Sequence, residues 1–205
     1  MIYLIKDYQQ LNKETVDLLL EKLPPNRKQK ALRFTIESGK ISCIISYLLF
    51  LYGFRRIYNQ SGTPDFHGAP DEKPYLNDYP DIHFNLSHCA MGCVCIIDNS
   101  PVGIDIQEVR KVSFRNLEKL FAPNEVNAIT ESANPQKEFC RIWSMKEAIS
   151  KLTGDGIFRD IRNISTEDQY IHTEYIAPDM YMSYASYEEK EQTIMHVTIE
   201  ELMSL

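Results

Sequence analysis

Residues 102–107, near the middle of this 205-residue chain, constrain its fold more than any other segment. Their sequence, VGIDIQ, alternates an aliphatic residue with a small or polar one, which is the pattern of a half-buried strand. Successive side chains of a strand point to opposite faces, so Asp105 and Gln107 would share one face. Two neighbouring oxygen-bearing groups suit a hard cation such as Mg²⁺. The alternative is the solvated outer face of an ordinary strand.

Composition bounds the class of protein. The length allows one large domain or two small ones with a substantial core, and 43% apolar and 25% charged residues are ordinary for a globular protein. The most apolar segment, residues 41–54, is shorter than a membrane span and contains two serines and a glycine. The net charge of −7 argues against general nucleic-acid binding.

The five cysteines have no zinc-type spacing, and the first residues lack the basic start and long apolar core of a secretion signal. These features predict reduced thiols and a cytoplasmic location without membrane attachment. Cys93 and Cys95 are two apart in a strand-like run, so they are expected to face the same way.

Periodicity and punctuation predict the other elements. Helices are expected over residues 14–23, 27–34, 38–52 and 136–153, and strands near the N-terminus and over 82–86, 92–97, 102–107, 170–176, 180–187 and 193–199. Ser38 is the expected N-cap and Gly53 the expected end of the third helix, while Asn134 and Gly154 bound the fourth. Strands 92–97 and 102–107 are expected to form a hairpin, and the last three strands an antiparallel sheet.

Positive charge is concentrated near the N-terminus. Arg27, Lys28, Lys30 and Arg33 cluster within one predicted helix of an acidic protein. Such a cluster fits a discrete phosphorylated ligand, and a solvated helix face explains it equally well.

Trp143, Glu147 and Lys151 are four residues apart and therefore lie on one helix face. An exposed Glu147–Lys151 pair, worth about 0.3–0.5 kcal/mol, is the simplest interpretation. In the functional interpretation, Glu147 faces Asp105 across a cleft and completes a cation site, with Lys146 or Lys151 countering the charge of a phosphate.

Ser87-His88 follows a predicted strand, and the histidine is either structural or a ligand of a phosphate oxygen. The residues taken alone thus indicate an Mg²⁺-dependent enzyme acting on a phosphorylated substrate.

Four motifs in one order carry a family resemblance: KPY at 73–75, FNLSH at 84–88, VGIDI at 102–106, and WSMKEA at 143–148 followed by Lys151. This series resembles the Sfp-type 4′-phosphopantetheinyl transferases. Residues 27–34 look like the basic N-terminal segment of that family, and residues 121–125 like its Phe-x-x-x-Glu element. The resemblance covers roughly residues 20–160.

The resemblance implies an α+β fold, an α/β pseudo-dimer of two similar subdomains, each an antiparallel sheet packed on helices. The active site would lie between subdomains 1–101 and 102–205. The first would contact the 3′-phosphate and adenine of coenzyme A, and the second would hold Mg²⁺ and the catalytic residues. A monomer is expected.

The implied activity transfers 4′-phosphopantetheine from coenzyme A to a serine of an apo acyl or peptidyl carrier protein, as in nonribosomal peptide or polyketide biosynthesis. Mg²⁺, or Mn²⁺, would be held by Asp105, Gln107 and Glu147. Glu147 would be the base, and Lys151 would neutralise pyrophosphate oxygens with the aid of His88. The coenzyme A contacts implied by the motifs are Arg27, Lys30, Lys73, Ser87, His88 and Lys151.

This sequence departs from the family pattern at three positions. Gln107 stands where the family commonly has Glu, Ser42 aligns with an arginine for which Lys40 is the nearest substitute, and Asp155 replaces a commonly basic residue. The loss of charge at position 107 motivates the alternative that the chain is a carrier-protein-binding module with weakened catalysis. A different Mg²⁺-dependent nucleotidyl or phosphoryl transferase would need a nucleotide motif, and none is found.

Overall fold

A computed structural model describes residues 1–68, 72–154, 161–166, 170–176 and 178–205. The helices are α1 (Lys13–Glu21), α2 (Pro25–Leu32), α3 (Glu37–Tyr58), α4 (Pro123–Glu131), α5 (Pro135–Thr153) and α6 (Ile199–Met203). The strands are β1 (Ile2–Lys6), β2 (Phe66–His67), β3 (Tyr75–Leu76), β4 (His83–His88), β5 (Gly92–Asp98), β6 (Val102–Glu108), β7 (Tyr170–Ile176), β8 (Met180–Ser186) and β9 (Ile194–His196).

The first large sheet has the strand order β4-β5-β1-β9. Strand β5 pairs antiparallel with both β4 and β1, and β9 joins β1 in parallel. One face of this sheet packs on α3 in an aromatic core that includes Tyr47, Phe50, Phe54 and Phe84. Cys93 and Cys95 are both fully buried in that core, which confirms that they face the same way.

The second large sheet has the order β6-β8-β7, and both pairings are antiparallel. Helix α5 packs against β6 and β8, and a small core forms where Ala148 and Leu152 meet Ala185. Each large sheet is therefore covered by one long helix, which confirms the predicted α+β class with largely antiparallel sheets packed on helices, β9 being the one parallel strand among those described.

The two sheets also pack on each other. Ile2 and Val94 lie on the face of the first sheet opposite α3, and they share a buried cluster with Ile104 and Ile106 of β6. The aliphatic positions of the alternating strand thus point towards the first sheet. The opposite face of β6, with Gly103 and Asp105, lies under α5 and is buried rather than solvated.

Helix α3 is longer than the sequence predicts. It begins at Glu37, after Ile36 rather than Ser38 as N-cap, and it continues through Gly53 to Tyr58. A Cβ at Gly53 would lie 2.4 Å from the Tyr3 ring, so the glycine lets the helix pass close to β1. Packing of this kind offsets the poor helix propensity of glycine. The helix is long and apolar enough to span a membrane, but 72% of its most apolar 18-residue stretch is buried inside the protein.

Helix α5 begins and ends where its capping residues predict. The Asn134 side chain accepts a hydrogen bond from the Lys137 backbone N–H, and Pro135 occupies the first helical position. Gly154 ends the helix with a φ of 81°, a left-handed conformation that glycine adopts without steric cost. The segment that carries Glu147 and Lys151 is thus one uninterrupted helix.

Two predicted pairings are wrong. Strands β5 and β6 do not form a hairpin: β5 pairs with β1 and β4, while β6 pairs with β8 in the other sheet. The predicted strand 193–199 is the short β9, which joins β1 instead of the tail sheet, and Ile199 already begins α6. Local alternation identifies a strand but does not select its partner, which is chosen by burial of whole faces.

Residues 117–125 contain a short helical turn and the start of α4. Leu117–Lys119 is a short 3₁₀ helix, and α4 follows from Pro123, with the Glu125 carboxylate accepting from the Ala122 backbone N–H. The division at residue 101 remains a prediction. Strand β9, which follows residue 101 in the chain, is nevertheless the edge strand of the first sheet.

Candidate active site

The candidate site lies where β6 passes under α5. Gly103 makes the close approach, since a Cβ there would be 2.0 Å from the Ala148 carbonyl oxygen. This proximity lets Lys151 reach Asp105, with 2.7 Å between Nζ and Oδ1. The strand and the helix identified separately in the sequence therefore meet as the functional interpretation expects.

Asp105 is only 5% exposed, and its side chain is held by two neighbours. Its Oδ1 accepts from the Ser87 hydroxyl at 2.7 Å and from Lys151 at 2.7 Å. Lys151 also donates to the Ser87 oxygen at 2.9 Å. Ser87 thus joins the first sheet to the carboxylate of β6 and to the cation of α5.

Glu147 is buried beside this group, with 6% of its surface exposed, so the simple interpretation of an exposed helix pair is wrong. Burial raises the pKa of its carboxyl to about 7, and the negative charge of Asp105 adds to the increase. Lys151 and a hydrogen bond from Trp143 act in the opposite direction. Glu147 is therefore a carboxyl group that can exchange a proton near neutral pH.

The donor set fits a hard divalent cation. Oδ2 of Asp105 is buried and has no hydrogen-bond partner among the residues that the structure describes. The Asp105 carboxylate lies close enough to raise the pKa of Glu147. A cation bound to both carboxylates would offset their mutual repulsion. Within the described ranges, no three His, Cys, Asp or Glu side chains form a cluster. A cation held here would need the Gln107 amide or water besides Asp105 and Glu147.

Gln107 and His88 lie at the border of the buried group. Gln107 is half-buried two residues beyond Asp105 on the same face of β6. His88 ends β4, and part of its side chain is exposed. The protein around the imidazole removes part of its hydration and lowers its pKa, and the nearby charge of Lys151 lowers it further.

The structure decides between the two lysines that could counter a phosphate charge. Lys146 is fully buried and donates to the carbonyl oxygens of Ile161 and Ile164, at 3.0 and 2.9 Å, and pairs with Glu125 at 2.9 Å. These contacts direct its charge into the protein. Lys151 is partly exposed, so it is the lysine available to a ligand.

Lys73 lies at the junction of the two sheets. Its Nζ donates to the Val102 carbonyl oxygen at 2.7 Å and to the Leu152 carbonyl oxygen at 3.4 Å. Burial lowers its pKa to about 8. The side chain therefore links a loop of the N-terminal half to β6 and α5, and its contact with coenzyme A remains a prediction.

A separate cavity of about 660 Å³ opens beside α2. Arg27 and Lys30 line it together with Phe66 and His67. The Arg27 guanidinium lies 4.8 Å from the Phe66 ring centroid, and its Nε is buried without a hydrogen-bond partner among the described residues. The basic segment thus forms one wall of a cavity rather than only a solvated helix face.

The other departures from the family pattern fall outside this cavity's wall or outside the described residues. Ser42 is buried in α3, where it bonds to Tyr8 and Gln9 at 2.9 Å, so it brings no charge to the site. Lys40 lies half-buried in the first turns of α3. Asp155 lies outside the described residues.

The sequence interpretation missed one residue at this junction. Asn85 is 5% exposed in β4, and its Oδ1 accepts from the Ile104 backbone N–H at 3.0 Å. The available signal was a polar residue between Phe84 and Leu86 in a strand that is otherwise apolar at this point. The motif at 84–88 identifies Ser87, but residue spacing does not predict its hydrogen bond to Asp105.

Comparison with known proteins gives a consistent result. The family model of the 4′-phosphopantetheinyl transferase superfamily matches residues 101–198. The 4′-phosphopantetheinyl transferase Sfp of Bacillus subtilis (strain 168) is 27% identical over 151 residues, which cover 72% of this chain and 67% of that protein.

Two further relatives have the same activity in their names. The 4′-phosphopantetheinyl transferase psf-1 of Bacillus pumilus is 40% identical over 87 residues, or 42% of this chain and 37% of that protein. HetI of Nostoc sp. (strain PCC 7120) is 37% identical over 135 residues, or 61% of this chain and 53% of that protein. The chain thus spans about two thirds or less of the length of these relatives.

Proposed function

We propose that this chain transfers 4′-phosphopantetheine from coenzyme A to an apo carrier protein, because residues 101–198 match the model of the 4′-phosphopantetheinyl transferase superfamily and the chain is similar to Sfp-type members. The acceptor is a serine hydroxyl of an acyl or peptidyl carrier. The observation that carries the proposal is the buried Asp105 carboxylate: one oxygen bonds to Ser87 and Lys151, and the other has no hydrogen-bond partner among the described residues.

The reaction replaces the phosphoanhydride bond of the coenzyme A pyrophosphate with a phosphoester bond to the serine. The serine oxygen forms a bond to the β-phosphorus of coenzyme A, the bond from that phosphorus to the bridging oxygen breaks, and 3′,5′-ADP leaves. The serine proton must go to a base, and the charge of the pyrophosphate must be neutralised. The residues of the site meet these two requirements separately.

Glu147 is the proposed base. Burial raises the pKa of this carboxyl to about 7, and a bound cation would lower it again, so the group is available as a carboxylate that can accept a proton at neutral pH. The serine proton therefore moves to Glu147 directly or through a water.

Lys151 and His88 are the proposed ligands of the pyrophosphate oxygens. Lys151 is held at the site by Asp105 and Ser87, so little side-chain freedom is lost when a phosphate binds. His88 lies at the exposed end of β4, within the electrostatic influence of Lys151. Ser87 keeps both Asp105 and Lys151 in place.

Asp105 and Glu147 would hold the metal, with Gln107 or water completing its ligands. Mg²⁺ or Mn²⁺ supplies positive charge to the pyrophosphate when it is bound there. The buried Oδ2 of Asp105, which has no hydrogen-bond partner in the part of the chain that the structure describes, supports this assignment.

The cavity beside α2 is the proposed site for the 3′-phosphate and adenine of coenzyme A. Arg27 and Lys30 supply positive charge, and Phe66 supplies an apolar surface. The buried Nε of Arg27, which lacks a hydrogen-bond partner within the described ranges, is a donor suited to a phosphate oxygen. We propose that the protein acts as a cytoplasmic monomer.

The direct test mixes purified protein with coenzyme A, Mg²⁺ and several apo carriers of the fatty-acid, polyketide and peptide types. Intact-mass spectrometry should detect the addition of one phosphopantetheine to at least one carrier. Glu147→Gln, which preserves shape and removes the base, should slow the transfer about 10²–10⁴-fold. An unmodified mass for every carrier would refute the proposal.

Gln107 motivates a second candidate, a carrier-binding module with weakened catalysis. An amide oxygen can bind a metal but brings no charge. This candidate predicts that a carrier binds in a calorimetric titration while its mass stays unchanged with coenzyme A. Detection of the phosphopantetheine adduct excludes it.

Replacing Gln107 with Glu tests its contact with the metal. If the side chain is a ligand, Gln107→Glu adds a negative charge and should lower the Mg²⁺ concentration for half-maximal rate severalfold. Gln60→Glu adds the same charge in an exposed loop after α3 and should leave that concentration unchanged. An equal Mg²⁺ requirement in both variants would place position 107 outside the metal's ligands.

A further inference from the structure

Strand β6 has one edge without a partner strand in the described part of the chain. Its backbone N–H groups point alternately to the two edges, as in any strand. One edge pairs with β8 along its whole length. On the other edge, the Ile104 and Ile106 N–H groups point to β4, which belongs to the first sheet.

Side chains of the N-terminal half take the place of a partner strand at this edge. Asn85 Oδ1 accepts from the Ile104 N–H at 3.0 Å, and Ser87 Oγ accepts from the Ile106 N–H at 3.3 Å. Lys73 donates to the Val102 carbonyl at 2.7 Å. These partners alternate with the strand period, so they recognise one register of β6.

The register matters because Asp105 lies between two of the held amides. A shift of β6 by one residue would turn Asp105 to the opposite face of the strand. Ser87 cannot define the position of β6 alone, because its oxygen already serves Asp105 and Lys151. Within the described residues, the Asn85 side-chain oxygen makes no bond besides the one to Ile104, and that bond is buried.

We propose that Asn85 is a positioning residue: through the Ile104 amide it holds β6 in the register that places Asp105 between Ser87 and Lys151. The catalytic part of this inference rests on the proposed function, whereas the structural part does not. An amide N–H can be satisfied only by an acceptor, so the oxygen of Asn85 must face β6. An apolar residue of similar size cannot replace it.

The experiment compares Asn85→Leu, which removes the acceptor, with Asn85→Asp, which retains it. Amide exchange measured by NMR should become at least tenfold faster at Ile104 and Ile106 in Asn85→Leu. The Gly103 and Asp105 amides, which point to β8, should keep their protection. Asn85→Asp should retain the slow exchange of Ile104, and this variant remains informative if Asn85→Leu does not fold.

A second readout follows the metal alone. Binding of Mn²⁺ can be followed by the EPR signal of the free ion. Saturating Asn85→Leu should need severalfold more Mn²⁺ than saturating the protein without the substitution. In the transfer assay, the metal requirement should rise in parallel while the KM for coenzyme A stays within about twofold. Ser46→Ala removes a buried hydroxyl that contacts Cys93 on the other face of the first sheet, and it should change neither quantity.

The outcomes separate the two proposals. Unchanged exchange at Ile104 in Asn85→Leu, fast exchange in Asn85→Asp, or a uniform loss of protection across β6 would overturn the role of Asn85. Fast exchange at Ile104 with an unchanged Mn²⁺ titration would overturn the link to Asp105. If the protein without substitutions adds phosphopantetheine to no carrier, the proposed function fails. The amide-exchange and Mn²⁺ data still decide whether Asn85 positions β6.

Discussion

Gly103→Ala is expected to lower the free energy of unfolding by about 3 kcal/mol or more, the upper end of the cost of overpacking a core. The added Cβ would lie 2.0 Å from the Ala148 carbonyl oxygen and 2.4 Å from the Leu152 backbone nitrogen. Both are main-chain atoms of α5, so no side chain can rotate away to relieve the contact. Strand and helix must separate instead.

That separation also breaks the site. Lys151 and Asp105 come from the two elements that move apart, and their 2.7 Å bond requires the present spacing. The variant should therefore lose the proposed transferase activity even at temperatures where it remains folded. Thermal unfolding followed by circular dichroism should shift down by about 6–12 °C, since each kcal/mol corresponds to about 2–4 °C in a protein of this size.

Gly62→Ala is the matched control. A Cβ at Gly62 would meet only the Tyr79 hydroxyl, at 3.9 Å, in an exposed loop. Its free energy of unfolding should change by no more than about 0.5 kcal/mol. If both variants were equally stable, the close packing of β6 on α5 would not be a determinant of the fold.

Lys146→Met is expected to cost about 3–5 kcal/mol, because removal of one partner leaves the other charge of a buried ion pair uncompensated. The abandoned partner is Glu125, which is 7% exposed and also accepts from the Ala122 N–H. The variant further removes the donor that serves the carbonyl oxygens of Ile161 and Ile164. Urea unfolding at neutral pH measures the loss.

A double variant identifies the cause. Glu125→Gln keeps the bond to Ala122 and removes the charge, so in the Lys146→Met background it should recover part of the lost stability. Lys28→Met breaks an ion pair whose glutamate partner, Glu21, is 69% exposed, and it should cost no more than about 1 kcal/mol. Equal losses for Lys28→Met and Lys146→Met would mean that burial does not set the energetic importance of the pair.

Local signals in the sequence sufficed for elements with strong ends or strong periodicity. Asn134 and Gly154 bound α5 as predicted, because capping involves only residues within one turn of each other. Gly53 did not end α3, because its effect depends on Tyr3, which is 50 positions away along the chain and touches it only after folding. Signals that depend on a distant neighbour cannot be read from a local window.

The same distinction applies to the site. Spacing alone put Glu147 and Lys151 on one helix face and Asp105 on one strand face, since these periods follow from backbone geometry. It could not choose between Lys146 and Lys151, which differ in burial: one is fully enclosed and bonded to carbonyl oxygens, and the other reaches Asp105. Burial is a property of the assembled core.

The sequence by itself thus determined the alternating strand 102–107, the helix that covers it, and the ordered motifs that indicate a phosphopantetheinyl transferase. Only the tertiary structure decided that this strand pairs with β8 rather than β5, and that Asn85 and Ser87 satisfy its free edge. The physical reason is that a strand specifies a face and a period, whereas its partners are selected by which buried faces and unpaired N–H groups must be satisfied at once.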